Sequence, residues 1–224
     1  MSLFYYMTMQ AFNFDNLTPD FMWYALESIG VRAESGLLAL NSYENRVYQF
    51  TDEDRKRYVV KFYRPQRWNK AQIQEEHDFA LELIEQEMPI APPMRINGAT
   101  LHEYQGYLFA LFESVGGRQY EVDNLDQLEG VGRFLGRIHK ASAGRTFQHR
   151  PTISLDEYLY QPRKILENSQ FIPTHLENAF FNDVDLLIKE LENQWPSNTE
   201  NIRLHGDCHP GNILWRDGPM FVDL

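Results

Sequence analysis

The last twenty residues constrain the fold of this 224-residue chain more than any other segment. A polar stretch from His205 to Asn212 is followed by a short apolar run, an Asp-Gly-Pro turn at 217–219, and a second apolar run that ends at Asp223. Turn residues between two short apolar runs predict a β-hairpin. Such a hairpin places Asn212 and Asp223 at the same end, so a carboxamide and a carboxylate come together.

The residue types at Asp207, Asn212 and Asp223 suit ATP-dependent phosphoryl transfer. In that chemistry one aspartate accepts or orients the proton of the attacking hydroxyl, while an asparagine and a second aspartate hold Mg²⁺ against the phosphates. We therefore interpret Asp207 and Asp223 as catalytic residues and Asn212 and Asp223 as magnesium ligands. Structural Asp and Asn side chains in an ordinary loop are the alternative for this segment taken alone.

The first half of the chain predicts an antiparallel sheet with one embedded helix. Thr18 and Pro19 predict the start of a short helix before the sheet, and Gly30 predicts its end. Apolar side chains recur at helical spacing between about Asn69 and Glu87. Strand-like runs lie around residues 37–40, 46–50, 57–63, 101–104 and 107–112.

After residue 117 the pattern becomes mainly helical. Asn124 is expected to cap a helix whose three glycines mark close helix packing. A further helix is expected to open at Ser154, and another to run from about Thr174 to Gln194. The predicted apolar face of the first of these helices consists of Leu125, Leu128, Val131, Leu135 and Ile138.

Together these elements predict an α+β, two-lobed protein-kinase-like fold. Residues 1–114 would form a nucleotide-binding lobe with a five-stranded antiparallel sheet. Residues 115–224 would form a mainly helical and incomplete second lobe. The boundary between the two lobes is expected at residues 114–117.

Lys61 stands in an alternating strand, where protein kinases place the lysine that contacts the α- and β-phosphates. That lysine needs a carboxylate partner, and Glu75 and Glu76 are adjacent candidates on the following helix. Because adjacent helical residues point about 100° apart, only one of them can face the sheet. Glu76 lies closer to the apolar side and is our choice. A solvent-facing strand lysine is the alternative for Lys61 alone.

Two further segments are candidates for nucleotide binding. The loop at 40–46, with Ser42, occupies the place of the glycine-rich phosphate-covering loop but contains no glycine, so a plain hairpin turn is an equal alternative. Glu113 and Val115 lie where the sheet ends, and the backbone there is positioned to offer a donor and an acceptor to adenine.

Composition excludes several functional classes. The formal net charge of −11 argues against general nucleic-acid binding, which selects for a surplus of Lys and Arg. The single cysteine, Cys208, excludes an intramolecular disulfide framework and disfavours a zinc cluster. No apolar run approaches the roughly 18–20 residues that span a bilayer, and the first residues lack the features of a secretory signal. We expect a soluble, cytoplasmic monomer.

Four longer segments carry a more specific resemblance, namely residues 41–50, 59–65, 115–119 and 204–224. They resemble bacterial stress-response kinases of the aminoglycoside-phosphotransferase-like superfamily, in which Gly206 replaces the arginine of the protein-kinase H-R-D motif. The resemblance implies a Ser/Thr protein kinase that uses ATP and Mg²⁺ and phosphorylates itself and other proteins. It also implies that Asp207 is the proton acceptor, that Asn212 and Asp223 bind magnesium, and that Ser42 lies at the ATP loop.

Two other functions stay open at this point. A kinase for small alcohols of the aminoglycoside, choline or homoserine type would use the same chemistry at Asp207. A non-catalytic nucleotide-binding module is the other alternative. Because members of the resembled family continue well beyond Leu224, we expect the chain to be an incomplete kinase with weak or no activity. We also expect Asp223 to be poorly ordered unless another segment holds it.

Overall fold

The sheet predicted from the first half of the chain is present and contains five strands, all antiparallel to their neighbours, in the order β1-β2-β3-β5-β4. The computed structural model describes residues 13–196 and 199–224. The register pairs Lys61 of the central strand with Val47 on one side and Ala110 on the other. The strands are β1 Leu38–Ala39, β2 Arg46–Thr51, β3 Arg57–Phe62, β4 His102–Tyr104 and β5 Tyr107–Glu113.

Two capped helices pack on this sheet. Helix α1, Pro19–Ser28, begins after Thr18 as predicted, and the Thr18 hydroxyl accepts a hydrogen bond from the Phe21 N–H at 3.2 Å. Helix α2, Lys70–Glu85, begins after Asn69, whose side chain and backbone exchange hydrogen bonds with Gln72. Such caps satisfy N–H groups that the first turn of a helix leaves unpaired.

Alternation along the strands sorts side chains between the two faces of the sheet. Val60 and Phe62 join the core that contains the buried residues of α1. On the other face, Ala110 packs with Tyr63 and with Ile73 of α2. Lys61 lies between Val60 and Phe62 in sequence, so its side chain points toward α2.

The predicted terminal hairpin is also present. Strands β7, Ile213–Trp215, and β8, Pro219–Phe221, are antiparallel, and β6, Arg118–Gln119, pairs with β7 to complete a second sheet. The backbone N–H of Phe221 donates to the carbonyl of Pro89 at 2.8 Å, and Phe221 in turn accepts from Ala91 at 2.9 Å. The segment that follows α2 therefore holds the second arm of the hairpin.

Helix α3, Leu125–Ala141, is capped by Asn124, which accepts a hydrogen bond from the N–H of Gln127 at 3.2 Å. Its predicted apolar face is correct at Val131 and Ile138, which are buried, but wrong at Leu125 and Leu128, which are exposed.

The glycines of α3 do not all mark close packing. A Cβ added at Gly130 would lie 2.9 Å from the Trp215 ring, whereas Cβ atoms at Gly132 and Gly136 would meet none of the described residues within 4 Å. The prediction of close packing is therefore supported at Gly130 and wrong at the other two.

The chain divides into two compact units. One contains the described residues up to Ala141 together with Leu204–Leu224, and the other is Ser142–Arg203. The predicted lobe boundary at residues 114–117 stays a prediction. Among the described residues, no helix is both long and apolar enough to cross a bilayer.

The unit Ser142–Arg203 is helical. A π-helical turn at Asp156–Tyr160 leads into α4, Gln161–Glu167, and α5 is Glu177–Gln194. Arg163 of α4 donates to Asp185 of α5 at 3.0 Å, and this hydrogen bond lowers the pKa of the Asp185 carboxyl.

Candidate active site

Lys61 and Glu76 face each other between β3 and α2. Lys61 Nζ lies 3.5 Å from Glu76 Oε1, and only 8% and 11% of the two side chains are exposed. Helix α2 begins at its Asn69 cap, and Glu76 is among its buried residues. The structure therefore brings the predicted lysine together with the glutamate chosen from the adjacent pair.

Lys61 also contacts a carboxylate from the far end of the chain. Its Nζ donates to Oδ1 of Asp223 and lies 4.9 Å from the centre of the Tyr63 ring. Burial lowers the pKa of the Lys61 ammonium, whereas the neighbouring Glu76, Tyr63 and Asp223 raise it. The second effect is larger, so the pKa of Lys61 lies above its ordinary value. The side chain is therefore a permanent cation in the neutral pH range.

The terminal hairpin sets the position of Asp223. The Val222 N–H donates to the Asn212 carbonyl at 3.0 Å, so Asn212 and Asp223 lie at the same end of the hairpin, as predicted. Asp223 has a φ of +59°, a left-handed conformation that aspartate tolerates better than most residues. This backbone turn follows directly after β8, which the segment Pro89–Ala91 holds in place.

Asp207 and Asn212 are joined by hydrogen bonds. Asn212 Nδ2 donates to the Asp207 carbonyl at 3.0 Å and approaches the Asp207 carboxylate at 3.3 Å. Gly206 has a φ of +82°, which explains why glycine stands before this aspartate. The Asp207 side chain is 72% exposed, so it is accessible from solvent.

Two histidines support the loop that carries Asp207. His205 is buried against Phe221, and burial lowers the pKa of its imidazole. His209 Nδ1 accepts a hydrogen bond from the Gly211 N–H at 3.0 Å. A Cβ at Gly211 would lie 2.7 Å from the His209 ring, so a larger residue there would displace this ring. A role for Gly211 was not predicted from the sequence.

The loop with Ser42 is anchored by its glutamate and its asparagine. Ser42 itself is half-buried. The carboxylate of Glu44 accepts from Trp68 Nε1 at 2.9 Å and from Arg67 Nε at 3.1 Å. Asn45 is buried, and its Oδ1 accepts from the backbone N–H of Arg64 at 3.1 Å. The roles of Glu44 and Asn45 were not predicted, because no local pattern signals partners about twenty residues away.

Glu113 and Val115 lie at the end of the sheet. Glu113 is the last residue of β5 and pairs with Tyr58, while its carboxylate accepts from Lys56 at 2.5 Å. The Ser114 N–H donates to the Arg57 carbonyl at 3.0 Å, which extends the pairing by one residue. Val115 is half-buried. Their roles as adenine contacts stay predictions.

The oxygen atoms of Asn212 and Asp223 are suitable ligands for Mg²⁺, which prefers carboxylate and carbonyl oxygens and usually relies on phosphates and waters for the rest of its shell. Within residues 13–196 and 199–224, no group of three His, Cys, Asp or Glu side chains gathers as a cluster. With two oxygen-bearing side chains, Asn212 and Asp223 fit a magnesium ion that would take its other ligands from phosphates and waters.

The sequence pattern of the phosphotransferase enzyme family matches residues 37–224. Stress response kinase A of Escherichia coli strain K12 is 57% identical over 218 residues, a match that covers 97% of this chain and 66% of the relative. The serine/threonine protein kinase RdoA of Salmonella typhimurium is 55% identical over 214 residues, covering 96% and 65%. The chain therefore spans slightly less than two thirds of these relatives.

Solved structures share the fold at lower identity. A microcompartment-associated aminopropanol kinase has a TM-score of 0.68 at 19% identity, with 90% of this chain and 67% of that chain covered. The amicoumacin kinase hAmiN, in complex with AMP-PNP and Ca²⁺, has a TM-score of 0.66 at 19% identity, with 84% and 57% covered. These similarities confirm the predicted α+β, kinase-like fold.

Proposed function

The chain belongs to the phosphotransferase enzyme family, and from this premise we propose that it transfers the γ-phosphate of ATP to Ser and Thr hydroxyls of proteins. The observation that carries this proposal is the double contact of Lys61, which pairs with Glu76 and with Asp223. The Lys61 contacts and the Asn212–Asp207 hydrogen bond join residues that are far apart in sequence, and all of these residues belong to the same compact unit.

In the proposed reaction each residue has a separate role. Lys61 binds the phosphates and offsets their negative charge, and Glu76 holds the ammonium in place. Asp207 accepts the hydroxyl proton as the oxygen attacks the γ-phosphorus and the bond to the ADP oxygen breaks. Asn212 and Asp223 would hold magnesium, which would supply further positive charge to the phosphates.

The nucleotide is proposed to lie against three further residues. Ser42 is placed near the phosphates, in the loop that Glu44 and Asn45 anchor. Glu113 and Val115 offer backbone groups to adenine where β5 ends. The hydrogen bonds of Glu44 and Asn45 support this arrangement, because they attach the loop to the segment that follows β3.

The protein acceptor is supported by the name of one relative, the serine/threonine protein kinase RdoA, which is 55% identical. We extend the proposal to autophosphorylation, a role in stress response, a cytoplasmic location and a monomeric state. A small alcohol is the competing acceptor, because the chemistry at Asp207 is the same for any hydroxyl.

The test is transfer of labelled γ-phosphate from Mg-ATP to protein acceptors and to a panel of small alcohols. The 224-residue chain would be compared with a version extended to the length of its relatives. Each of the two would be tested both unmodified and as the Asp207→Asn variant. Asp217→Asn makes the same chemical change in the hairpin turn, where the side chain is 97% exposed, and serves as the matched control.

With the extended version, we expect label on protein that is lost with Asp207→Asn and kept with Asp217→Asn. Label only on a small alcohol would contradict the protein acceptor. Equal labelling by the Asp207→Asn variant would contradict the role of Asp207.

A further inference from the structure

A second buried pair, formed by Tyr63 and His77, lies beside the Lys61–Glu76 ion pair. The Tyr63 hydroxyl and His77 Nε2 are 2.7 Å apart, and the two residues are 2% and 1% exposed. Tyr63 lies two residues after Lys61 on the same face of the strand, and its N–H continues the sheet by donating to the Leu108 carbonyl at 2.9 Å. His77 directly follows Glu76 on α2.

The Tyr63–His77 pair extends into a larger network. His77 Nδ1 lies 3.0 Å from the hydroxyl of Thr100, which is 1% exposed and also accepts from Gln74 Nε2 at 3.2 Å. Both ring nitrogens of His77 are therefore engaged. A buried network with its polar atoms satisfied holds its members in one orientation, because any other orientation would leave buried groups without hydrogen bonds.

The network is coupled to the candidate active site in two ways. The Tyr63 ring lies under the Lys61 ammonium, with 4.9 Å between Nζ and the ring centre, which is a favourable cation–π distance. Glu76 and His77 are neighbours on one rigid helix, so a rotation of α2 that moved Glu76 away from Lys61 would also separate His77 from Tyr63.

We propose that Tyr63 and His77 are positioning residues that hold α2 at the rotation where Glu76 meets Lys61. The helix is then already in its nucleotide-binding position before ATP arrives, and Lys61 stays aimed at the phosphates. This inference rests on the proposed function, in which Lys61 binds the phosphates of ATP.

The test compares Tyr63→Phe with Tyr107→Phe. Both remove one tyrosine hydroxyl from the same sheet, but Tyr107 lies on the face that packs against α1, where its hydroxyl donates to the Asn13 carbonyl. Two quantities would be measured for each protein, namely the hydrogen exchange of the α2 backbone amides without nucleotide and the Kd for Mg-ATP.

We expect Tyr63→Phe to speed exchange in α2 and to weaken Mg-ATP binding by about 5-fold, the value for a loss of about 1 kcal/mol of hydrogen bonding. Tyr107→Phe should leave both quantities close to those of the unmodified chain, even where the melting temperature falls equally. If the two variants weaken Mg-ATP binding by the same factor, Tyr63 has only a structural role and the proposal is wrong.

His77 provides a second, independent comparison. His77→Gln keeps a donor and an acceptor, whereas His77→Leu keeps neither, so the Gln variant should retain more Mg-ATP affinity than the Leu variant at equal stability. Equal affinity of these two variants would contradict the proposal. Failure of the unmodified chain to bind Mg-ATP would overturn the proposed function instead, and the exchange of the α2 amides would still decide whether Tyr63 and His77 hold the helix.

Discussion

At the scale of single residues, Lys61 connects the parts of the candidate site, because it contacts side chains from two other segments. It is buried on the α2 face of the central strand, and it contacts Glu76 from α2 and Asp223 from the terminal hairpin. A buried charge is costly unless opposite charges compensate it, so the buried Lys61 and Glu76 depend on each other, while the partly exposed Asp223 adds a second anion beside Lys61. This dependence makes Lys61 a determinant of stability as well as of nucleotide binding.

Lys61→Met is therefore expected to destabilise the fold by about 3–5 kcal/mol, because it removes the cation that faces the buried Glu76 carboxylate. The double variant Lys61→Met/Glu76→Leu should recover part of that loss, because it removes the buried anion as well. Urea unfolding of the two variants measures the difference. A double variant that is less stable than Lys61→Met would show that the ion pair is not what Lys61 contributes.

A second prediction at this scale concerns pH. His102 is buried beside Phe109, and burial lowers the pKa of its imidazole below the ordinary value of about 6.5. As the pH falls below that value, His102 takes up a proton in the unfolded chain more readily than in the folded chain. The free energy of unfolding therefore falls as the pH falls. His102→Gln should flatten the dependence of unfolding free energy on pH as the pH falls through about 6.5. His175→Gln, at an exposed position, is the control, and equal slopes for both variants would contradict this account.

At the scale of elements, backbone contacts between distant segments determine how the site is assembled. Strand β8 is bound through Phe221 to Pro89 and Ala91, just after α2, and so the same short segment connects the helix with Glu76 to the hairpin with Asp223. The close approach of α3 to the hairpin at Trp215 is a second connection within this unit.

The glycines of α3 test that second connection. Gly130→Ala should destabilise the protein, because its Cβ would lie 2.9 Å from the Trp215 ring. Gly132→Ala meets open space and should stabilise the helix by up to about 1 kcal/mol, the difference in helix propensity between the two residues. Thermal unfolding of the two variants separates these effects, and equal stabilisation by both would show that Trp215 does not pack against α3.

The elements also show what could be predicted from the sequence. The terminal hairpin follows from its turn residues, and with it the convergence of Asn212 and Asp223. The contact of Asp223 with Lys61 was not predictable in the same way, because it depends on backbone pairing with Pro89–Ala91, which no side-chain pattern signals. Likewise, helical periodicity identified the buried Val131, but it could not show that Leu125 is exposed.

At the scale of the whole molecule, the five charged or amide side chains of the candidate site belong to one compact unit. They are contributed by a strand, a helix, a loop and a hairpin, and only the fold brings them together. We propose that these five residues, Lys61, Glu76, Asp207, Asn212 and Asp223, form a single Mg-ATP site. The helical unit Ser142–Arg203 contributes none of the five residues.

The most direct test of that claim is the Kd for ATP measured by calorimetry with and without Mg²⁺. The comparison includes the unmodified chain, Asp223→Asn, and Asp217→Asn as the exposed control in the same hairpin. We predict that Mg²⁺ strengthens ATP binding by the unmodified chain and by Asp217→Asn, and that this gain is lost in Asp223→Asn. An unchanged gain in the Asp223→Asn variant would contradict the account.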